Sequence, residues 1–208
     1  MLPLILDLTG RKVVIFGGGP VGARKAGFFR GECRVVVASR SFSREIQEMD
    51  VERIGMDLEH ASDGDLGDLM AGAVLVVAAV KDPALNERIR GIAMASGIFC
   101  NSATGRPGDV IIPSVGKGRS HLVAVTTFGR SPAMARFVRE KIGRDAEETD
   151  LMIELQERAR EVLKREEPSQ ERRSATLWEI LRDPEAWKAL SRGPDKAWEY
   201  VGQRYLHG

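Results

Sequence analysis

Three glycines near the start of the chain have the residue type and spacing that could bind a phosphate. Gly17, Gly19 and Gly22 form the pattern G-x-G-x-x-G, directly after the apolar run KVVIF and around Pro20 and Val21, which suit a first helical turn. Gly17 would permit a tight turn, Gly19 would let backbone approach a pyrophosphate, and Gly22 would let the helix pack closely on the strand. The pattern predicts that this turn binds NAD or NADP; a glycine-rich turn that only connects two elements is the alternative.

The residues that would contact the ribose leave the choice of cofactor open. An acidic residue is expected at the end of the second strand to accept the ribose hydroxyls, but the chain reads Ala38, Ser39, Arg40 and Ser41 there. Arg40 could bind a 2′-phosphate and favour NADP, or lie over the adenine while Ser41 and backbone hold the ribose of NAD. A solvated loop arginine is the third interpretation.

The elements that must position this turn alternate between strand and helix. Short apolar runs bounded by glycine, proline and capping residues predict strands at 12–16, 34–38, within 51–58, at 73–80 and at 98–101. Helices are predicted at 20–30, 65–70 and 83–96, the last with Asp82 as its cap and Gly97 at its end. This order is typical of the α/β class, and we predict a doubly wound Rossmann domain over residues 1–108.

The pattern changes after Asn101. Two apolar runs, VIIP at 110–113 and HLVAVTTF at 121–128, flank the segment GKGRS and predict two antiparallel strands. Ser131 and Pro132 open an amphipathic helix to about Gly143, and from 147 onward the chain is predicted to be helical with breaks near its prolines. We therefore predict a small α+β dimerisation segment at 109–145 and a helical domain at 146–208.

Four stretches, taken together, resemble the siroheme synthase family, the precorrin-2 dehydrogenases that often act as sirohydrochlorin ferrochelatases as well. They are GGGPVGARKA at 17–26, VAAVKDPALN at 77–86, FCN at 99–101 followed by IIPS at 111–114, and VTTFGRSPAMARFVREKI at 125–142. The last is the most specific, because it joins a strand, a small-residue turn, Ser-Pro at a helix start and two arginines three apart. The resemblance covers about residues 1–145.

The resemblance implies NAD-dependent oxidation of precorrin-2 to sirohydrochlorin in a homodimer, with ferrous iron as a further substrate where iron insertion follows. Such a tetrapyrrole carries eight carboxylates, so its site needs several cations whose donors fork around them. Candidate substrate-binding residues are Arg106, Lys117, Arg119, Arg130, Ser131, Arg136 and Arg139. Arg136 and Arg139 would share one helix face. The dimer is predicted to form through strands around 110–112 and 122–127, with the Ser131 helix beside them.

The chain departs from the family where an acid and base would be expected. Family members usually carry an aspartate shortly after the strand that ends at Asn101, and Thr104 occupies that place here. A threonine does not accept a proton near neutral pH, so Asp109, in the same loop, is the candidate catalytic carboxylate. Positioning of substrate and cofactor without a strong base is the alternative. A tetrapyrrole- or nucleotide-binding regulatory module without turnover is the competing function.

Composition argues against several other classes. The net charge of +1 gives no overall field for nucleic acid, and no apolar run approaches the ~20 residues of a membrane span. The two cysteines, Cys33 and Cys100, have no metal or disulfide spacing and favour a reduced, cytoplasmic environment. His60, His121 and His207 show no metal-ligand spacing, so no metal site is predicted. Trp178, Trp187 and Trp198 are predicted to pack between helices of the C-terminal region.

Overall fold

The computed structural model describes residues 1–104 and 108–206, and the chain divides into two compact units. The first unit is Met1–Ile112 and the second is Pro113–Gly208. The boundary lies four residues beyond the predicted end of the Rossmann domain. The predicted dimerisation segment, from Pro113 onward, and the predicted helical domain fall in the same unit.

The described residues of the first unit form a parallel five-stranded sheet with helices between its strands. In chain order the elements are β1 (Lys12–Phe16), α1 (Pro20–Phe29), β2 (Arg34–Ser39), α2 (Arg44–Glu48), β3 (Glu52–Gly55), α3 (Asp63–Met70), β4 (Ala73–Ala78), α4 (Pro83–Ala95) and β5 (Phe99–Ser102). The strand order is β3-β2-β1-β4-β5, and every pairing is parallel. This confirms the predicted Rossmann fold.

Alternating side chains of the sheet bury against helices on its two faces. Val13 and Ile15 of β1 pack in one cluster with α1 and α2, whereas Val14 and Phe16 pack in a second cluster with α3 and α4. All four side chains are fully buried, as expected for a central parallel strand with both faces covered. The chain crosses from one half of the sheet to the other between β1 and β4, so their carboxyl ends form the switch point where ligands bind in this fold.

Side chains determine where α4 begins and where β4 ends. Asp82 caps α4 by accepting the Ala84 N–H over 2.9 Å, as predicted. β4 ends at Ala78, two residues before the predicted end at Val80. The physical reason is that the backbone N–H and C=O of Val80 are hydrogen-bonded to the side chain of Asn86 and not to a neighbouring strand.

The second unit begins with an antiparallel hairpin and continues as helices. Its elements are β6 (Ser114–Lys117), β7 (Leu122–Val125), α5 (Pro132–Ile142), a 3₁₀ turn (Gly143–Asp145), α6 (Ala146–Glu166), α7 (Gln170–Arg182), α8 (Pro184–Leu190), α9 (Pro194–Val201) and a π-helical turn (Gly202–Leu206). An antiparallel pair of strands, the Ser131 helix and the helical region are present as predicted, but the first strand of the pair lies further along the chain than predicted.

The predicted strand at 110–113 is wrong. Val110 and Ile112 are half-buried and pack against the cluster that contains Val13 and Ile15, and the first hairpin strand begins only at Ser114. The run VIIP thus buries its apolar side chains as irregular backbone on the Rossmann core. The same apolar, β-branched composition would also suit a strand, which is why the sequence pattern predicted one at 110–113.

The helices of the second unit enclose their own core, which includes Leu155, Ile180 and Val201. Trp187 and Trp198 pack against this core, and the Trp187 indole N–H donates to the Leu181 carbonyl over 2.8 Å. Trp178 departs from the prediction because its side chain is 53% exposed, with the Arg182 guanidinium 5.1 Å from its ring centre. Two of the three tryptophans therefore have the predicted packing role.

Candidate active site

The turn after β1 requires glycine at its first position. Gly17 has φ +122°, and its N–H donates to the Ala38 carbonyl of β2 over 2.9 Å. A Cβ on Gly17 would overlap the carbonyl oxygen of Ala79, the residue after β4. The turn is therefore held between the carboxyl ends of β2 and β4, at the switch point of the sheet.

Gly22 and Gly19 have different surroundings. A Cβ on Gly22 would overlap the Gly17 carbonyl oxygen, so the first turn of α1 packs on the glycine turn itself, more closely than on the strand residue Ile15. Apart from Gly19 and its two chain neighbours, no described residue has an atom within 4 Å of a Cβ placed on Gly19. Gly19 is also the N-cap of α1, and no described side chain caps this helix, whose first position is Pro20. Backbone and helix N-terminus are thus open to a phosphate at this point.

Gly18 joins the glycine turn to the loop after β2, a role that the motif spacing does not reveal. A Cβ on Gly18 would overlap the Ser41 carbonyl oxygen and lie 2.9 Å from Cβ of Ser39. The Ser43 N–H donates to the Gly18 carbonyl over 2.8 Å. Ser41, the predicted ribose contact, is therefore packed beside the predicted pyrophosphate site.

Arg40 lies next to an acidic residue that sequence reasoning did not select. Its Nη1 is 3.6 Å from Oδ2 of Asp57, and the Arg40 side chain is largely exposed. A hydrogen bond from His60, with smaller contributions from the Glu59 N–H and the Arg40 charge, holds the pKa of Asp57 below its usual value. A carboxylate thus stands at the predicted ribose side, following β3 and not β2.

A buried amide connects the ends of β4 and β5. Asn86 is fully buried, bonds to both backbone groups of Val80, and donates from Nδ2 to Oγ1 of Thr104 over 2.5 Å. Thr104 itself is exposed. Sequence reasoning missed Asn86, although its place one turn into α4, directly after the β4 loop, was a usable signal.

Asp109 contacts the free edge of β5. Its Oδ2 accepts the Cys100 N–H over 3.3 Å, and the Val110 N–H donates to the Cys100 carbonyl over 3.1 Å. Burial, with the nearby Asp109 charge as a smaller cause, raises the pKa of the Cys100 thiol to about 11. Asp109 and Thr104 thus have separate hydrogen-bond partners. Arg106 lies outside the described residues.

In the second unit, Ser131 caps α5 as predicted. Its Oγ accepts the Met134 N–H over 3.3 Å, while its N–H and C=O both bond to the Thr127 hydroxyl over 2.9 Å. Phe128, between them, has φ +53°, which is rare for a bulky residue. Arg130, beside the cap, is exposed. The Thr127 hydroxyl thus bridges both backbone groups of Ser131 at the start of α5.

The predicted cations of α5 lie together and share an acid. Arg136 Nε and Arg139 Nη2 contact the same Glu140 carboxylate oxygen over 2.7 and 3.0 Å, and Arg139 also donates to the Val115 carbonyl over 3.3 Å. A cavity of about 390 Å³ borders Arg139, Glu140 and Lys117. This arrangement leaves the Arg136 and Arg139 side chains partly neutralised.

Arg119 belongs to a different cluster, built around buried Asp150. The Asp150 carboxylate accepts the backbone N–H groups of Arg119 and Ser120 over 2.7 and 2.8 Å and contacts His121 Nδ1 over 2.8 Å. The Arg119 guanidinium lies 3.1 Å from Glu154. The two backbone bonds, then His121, lower the pKa of Asp150 to about 2. Asp150 therefore ties the hairpin turn to α6.

Two further properties concern metals and membranes. Within residues 1–104 and 108–206, no group of three or more His, Cys, Asp or Glu side chains is placed to hold a metal ion. None of the helices described there is long and apolar enough to cross a bilayer.

The sheet order and the glycine turn at its switch point define a dinucleotide-binding Rossmann protein. A family model described as "Putative NAD(P)-binding" matches residues 4–114, which include all but the first three residues of the first unit. The chain is also 40% identical over 203 residues to a precorrin-2 dehydrogenase from Methanosarcina barkeri, covering 95% of this chain and 90% of the relative. The chain belongs to the precorrin-2 dehydrogenase family.

Other relatives show how far the likeness extends. A siroheme synthase from Ectopseudomonas mendocina is 36% identical over 144 residues, 68% of this chain and 30% of that longer protein. The solved precorrin-2 dehydrogenase SirC shares the fold, with a TM-score of 0.71 at 23% identity over 98% of this chain and 100% of SirC. The predicted extent of about 145 residues agrees in length with the siroheme synthase match, whereas the similarity to the Methanosarcina relative continues into the helical region.

Proposed function

We propose that this protein is an NAD-dependent dehydrogenase that oxidises precorrin-2 to sirohydrochlorin in siroheme biosynthesis. The observation that carries the proposal is the 40% identity, over almost the whole chain, to a protein named precorrin-2 dehydrogenase. The reaction balances as one hydride passed from the macrocycle to NAD and one proton released.

The first unit supplies the cofactor site. Open backbone at Gly19 and the uncapped start of α1 fit the pyrophosphate, with Pro20, Val21 and Gly22 forming the helix turn beneath it. Ser41 and Arg40 would hold the ribose and adenine. When bound, NAD supplies the hydride acceptor. Asp57, close to Arg40, favours NAD because its charge would repel a 2′-phosphate.

Cations of the second unit suit a ligand with many carboxylates. Arg130 and Ser131 lie at the start of α5, and Arg136 and Arg139 follow on the same helix. Guanidinium groups bind carboxylates through paired hydrogen bonds, and a substrate carboxylate could replace Glu140 as the partner of Arg136. These four residues are the proposed substrate contacts.

The released proton needs an acceptor, for which we propose Asp109. Its Oδ2 contact with Cys100 N involves one carboxylate oxygen. An asparagine could keep that hydrogen bond through its amide oxygen but could not take up a proton at neutral pH. Asp109→Asn therefore separates the structural contact from the chemical role.

We further propose a homodimer formed through the second unit. Large apolar side chains on and beside β7 and α5 are about half exposed or more, and they are Leu122, Phe128, Met134, Phe137 and Ile142. Exposed apolar groups at this density mark association surfaces. Val110 and Ile112 are excluded from the predicted interface because they pack on the Rossmann core. Light scattering should give a dimer at micromolar concentration, and Phe137→Glu should give a monomer.

Turnover tests the function. Precorrin-2 and NAD are mixed with the protein under anaerobic conditions, and sirohydrochlorin is followed by its absorbance, with NADP in a parallel arm. We expect oxidation with NAD, and no acceleration of iron insertion when ferrous iron is added to the product. Binding of both ligands without turnover would support the regulatory module instead. We also expect a cytoplasmic location, since both cysteines are free thiols.

A further inference from the structure

The side chain of Asn86 connects two loops at the carboxyl end of the sheet. It lies in the first turns of α4 with no exposed surface, and it reaches the loop after β4 at Val80 and the loop after β5 at Thr104. Three hydrogen bonds of 2.9, 3.0 and 2.5 Å join these groups. A buried amide with this many partners fixes both loops relative to each other.

The partners of Asn86 also determine which way its amide faces. The Val80 N–H can only donate, so the atom of Asn86 that it meets at 3.0 Å is the acceptor Oδ1. Nδ2 then has two protons, one for the Val80 carbonyl and one for Oγ1 of Thr104. The direction of the bond to Thr104 is therefore set by backbone: Asn86 donates and Thr104 accepts.

This direction fixes the chemical character of the Thr104 hydroxyl. Because Oγ1 accepts from Asn86, the hydroxyl proton points to another partner. The Thr104 carbonyl is itself held by the Ser102 hydroxyl over 2.6 Å, which restrains the main chain at this exposed residue. Thr104 thus presents a hydrogen-bond donor to solvent or ligand at the end of β5, beside the end of β4.

We propose that Asn86 is a positioning residue that orients the Thr104 hydroxyl as a hydrogen-bond donor to a carboxyl or carboxamide oxygen of a bound ligand. The inference rests on the proposed function, which supplies two ligands with such oxygens: the carboxylates of the tetrapyrrole and the carboxamide of nicotinamide. Thr104 then holds a ligand oxygen, while the released proton is accepted elsewhere.

The test uses three variants of the full chain. Thr104→Val removes the hydroxyl at nearly constant shape, and Thr104→Ser restores it. Asn86→Asp reverses the bond, because a carboxylate can only accept, so the Thr104 proton turns inward. Affinity for NAD is measured by calorimetry, and affinity for the octacarboxylate uroporphyrin is measured by fluorescence titration. Thr176→Val, which removes an exposed hydroxyl from α7, is the matched control.

We expect Thr104→Val to lower the affinity for one of the two ligands. The loss should be about 10-fold or more if the lost hydrogen bond went to a charged oxygen, and several-fold if it went to a neutral one. The ligand whose affinity falls is the one whose oxygen accepts the hydrogen bond from Thr104. Thr104→Ser should retain affinity, and Asn86→Asp should weaken the same ligand with no further loss on adding Thr104→Val. Thr176→Val should change neither affinity.

Unchanged affinity for both ligands in folded Thr104→Val would overturn the inference, even if Asn86→Asp proved unstable. Equal loss in Thr104→Ser would also overturn it, because a hydroxyl donor would then be irrelevant. If the variants show these affinity changes but the wild-type protein does not oxidise precorrin-2, the proposed function is refuted and the role of Asn86 is left intact.

Discussion

Gly17 and Gly19 lie two residues apart in one motif, yet a substitution at Gly19 should impair NAD binding whereas one at Gly17 should impair folding. Gly19 has φ −85°, and a Cβ there would meet no described residue within 4 Å other than its chain neighbours, so Gly19→Asp should fold normally. Gly17 has φ +122°, and its Cβ would overlap the Ala79 carbonyl oxygen, so Gly17→Ala should destabilise the first unit. The pair separates cofactor binding from folding.

The magnitudes follow from charge and sterics. The repulsion between a carboxylate and a pyrophosphate charge about 4 Å away is about 1 kcal/mol at the dielectric constant of water and about 4 kcal/mol at that of a protein surface. These energies correspond to a loss of NAD affinity of roughly five-fold to nearly a thousand-fold. A left-handed conformation costs about 1 to 2 kcal/mol for a residue with a Cβ, and overpacking adds about 1 to 3 kcal/mol. Gly17→Ala should therefore lower Tm on the order of 10 °C.

Calorimetry with NAD and thermal unfolding, applied to both variants, check these values. Gly19→Asp should have the Tm of the wild type but a lower affinity for NAD, whereas Gly17→Ala should have a lower Tm. Unchanged NAD affinity in folded Gly19→Asp would refute the placement of the pyrophosphate at this turn. An unchanged Tm in Gly17→Ala would refute the account of the turn geometry.

Three further predictions concern carboxylates. The pKa of Asp150 is lowered from 3.8 to about 2, so the stabilisation that the ionised carboxylate provides is complete above pH 3.8 and is lost as pH falls toward about 2. Asp150→Asn should therefore lower Tm at neutral pH and flatten the fall of Tm between pH 4 and 2. An unaltered profile of Tm against pH would contradict this. Asp57→Asn removes a negative charge and should improve the affinity for NADP relative to NAD. The change should be only about two-fold to five-fold, because the ion pair with Arg40 is exposed and screened by solvent. An unchanged ratio of the two affinities in calorimetry would show that Asp57 does not select the cofactor. Asp109→Asn should lower the oxidation rate by ~100-fold at unchanged NAD affinity, as expected for loss of a general base, whereas a near-normal rate would remove Asp109 from the proton transfer.

Local signals in the sequence predicted much of the fold. The run from Lys12 to Phe16, the glycine turn and Pro20 define β1 and the start of α1 as observed, because strand composition, turn and helix start agree. Asp82 and Ser131 were predicted as caps and accept the backbone N–H groups expected of them. Such features depend on neighbours along the chain, so the sequence is sufficient to find them.

Other features depend on contacts between distant segments. Val110 and Ile112 have strand-like composition but pack as irregular backbone on the Rossmann core. The place of Asn86 one turn into α4 is visible in the sequence, but only the fold shows that Val80 and Thr104 are its partners. Asp57 meets Arg40 only because β3 lies beside β2 in the sheet. The sequence therefore predicted the glycine turn but not the contacts of Asn86 and Asp57.

Direct transfer of hydrogen from the macrocycle to the cofactor tests the central claim most directly. Precorrin-2 carrying deuterium at the carbon that is oxidised is converted by the wild-type protein with NAD, and the deuterium content of the reduced nicotinamide is measured by mass spectrometry. We predict one deuterium in each reduced nicotinamide and one sirohydrochlorin for each NAD consumed. Sirohydrochlorin formed without label in the cofactor, or no product from a protein that binds NAD, would contradict the account.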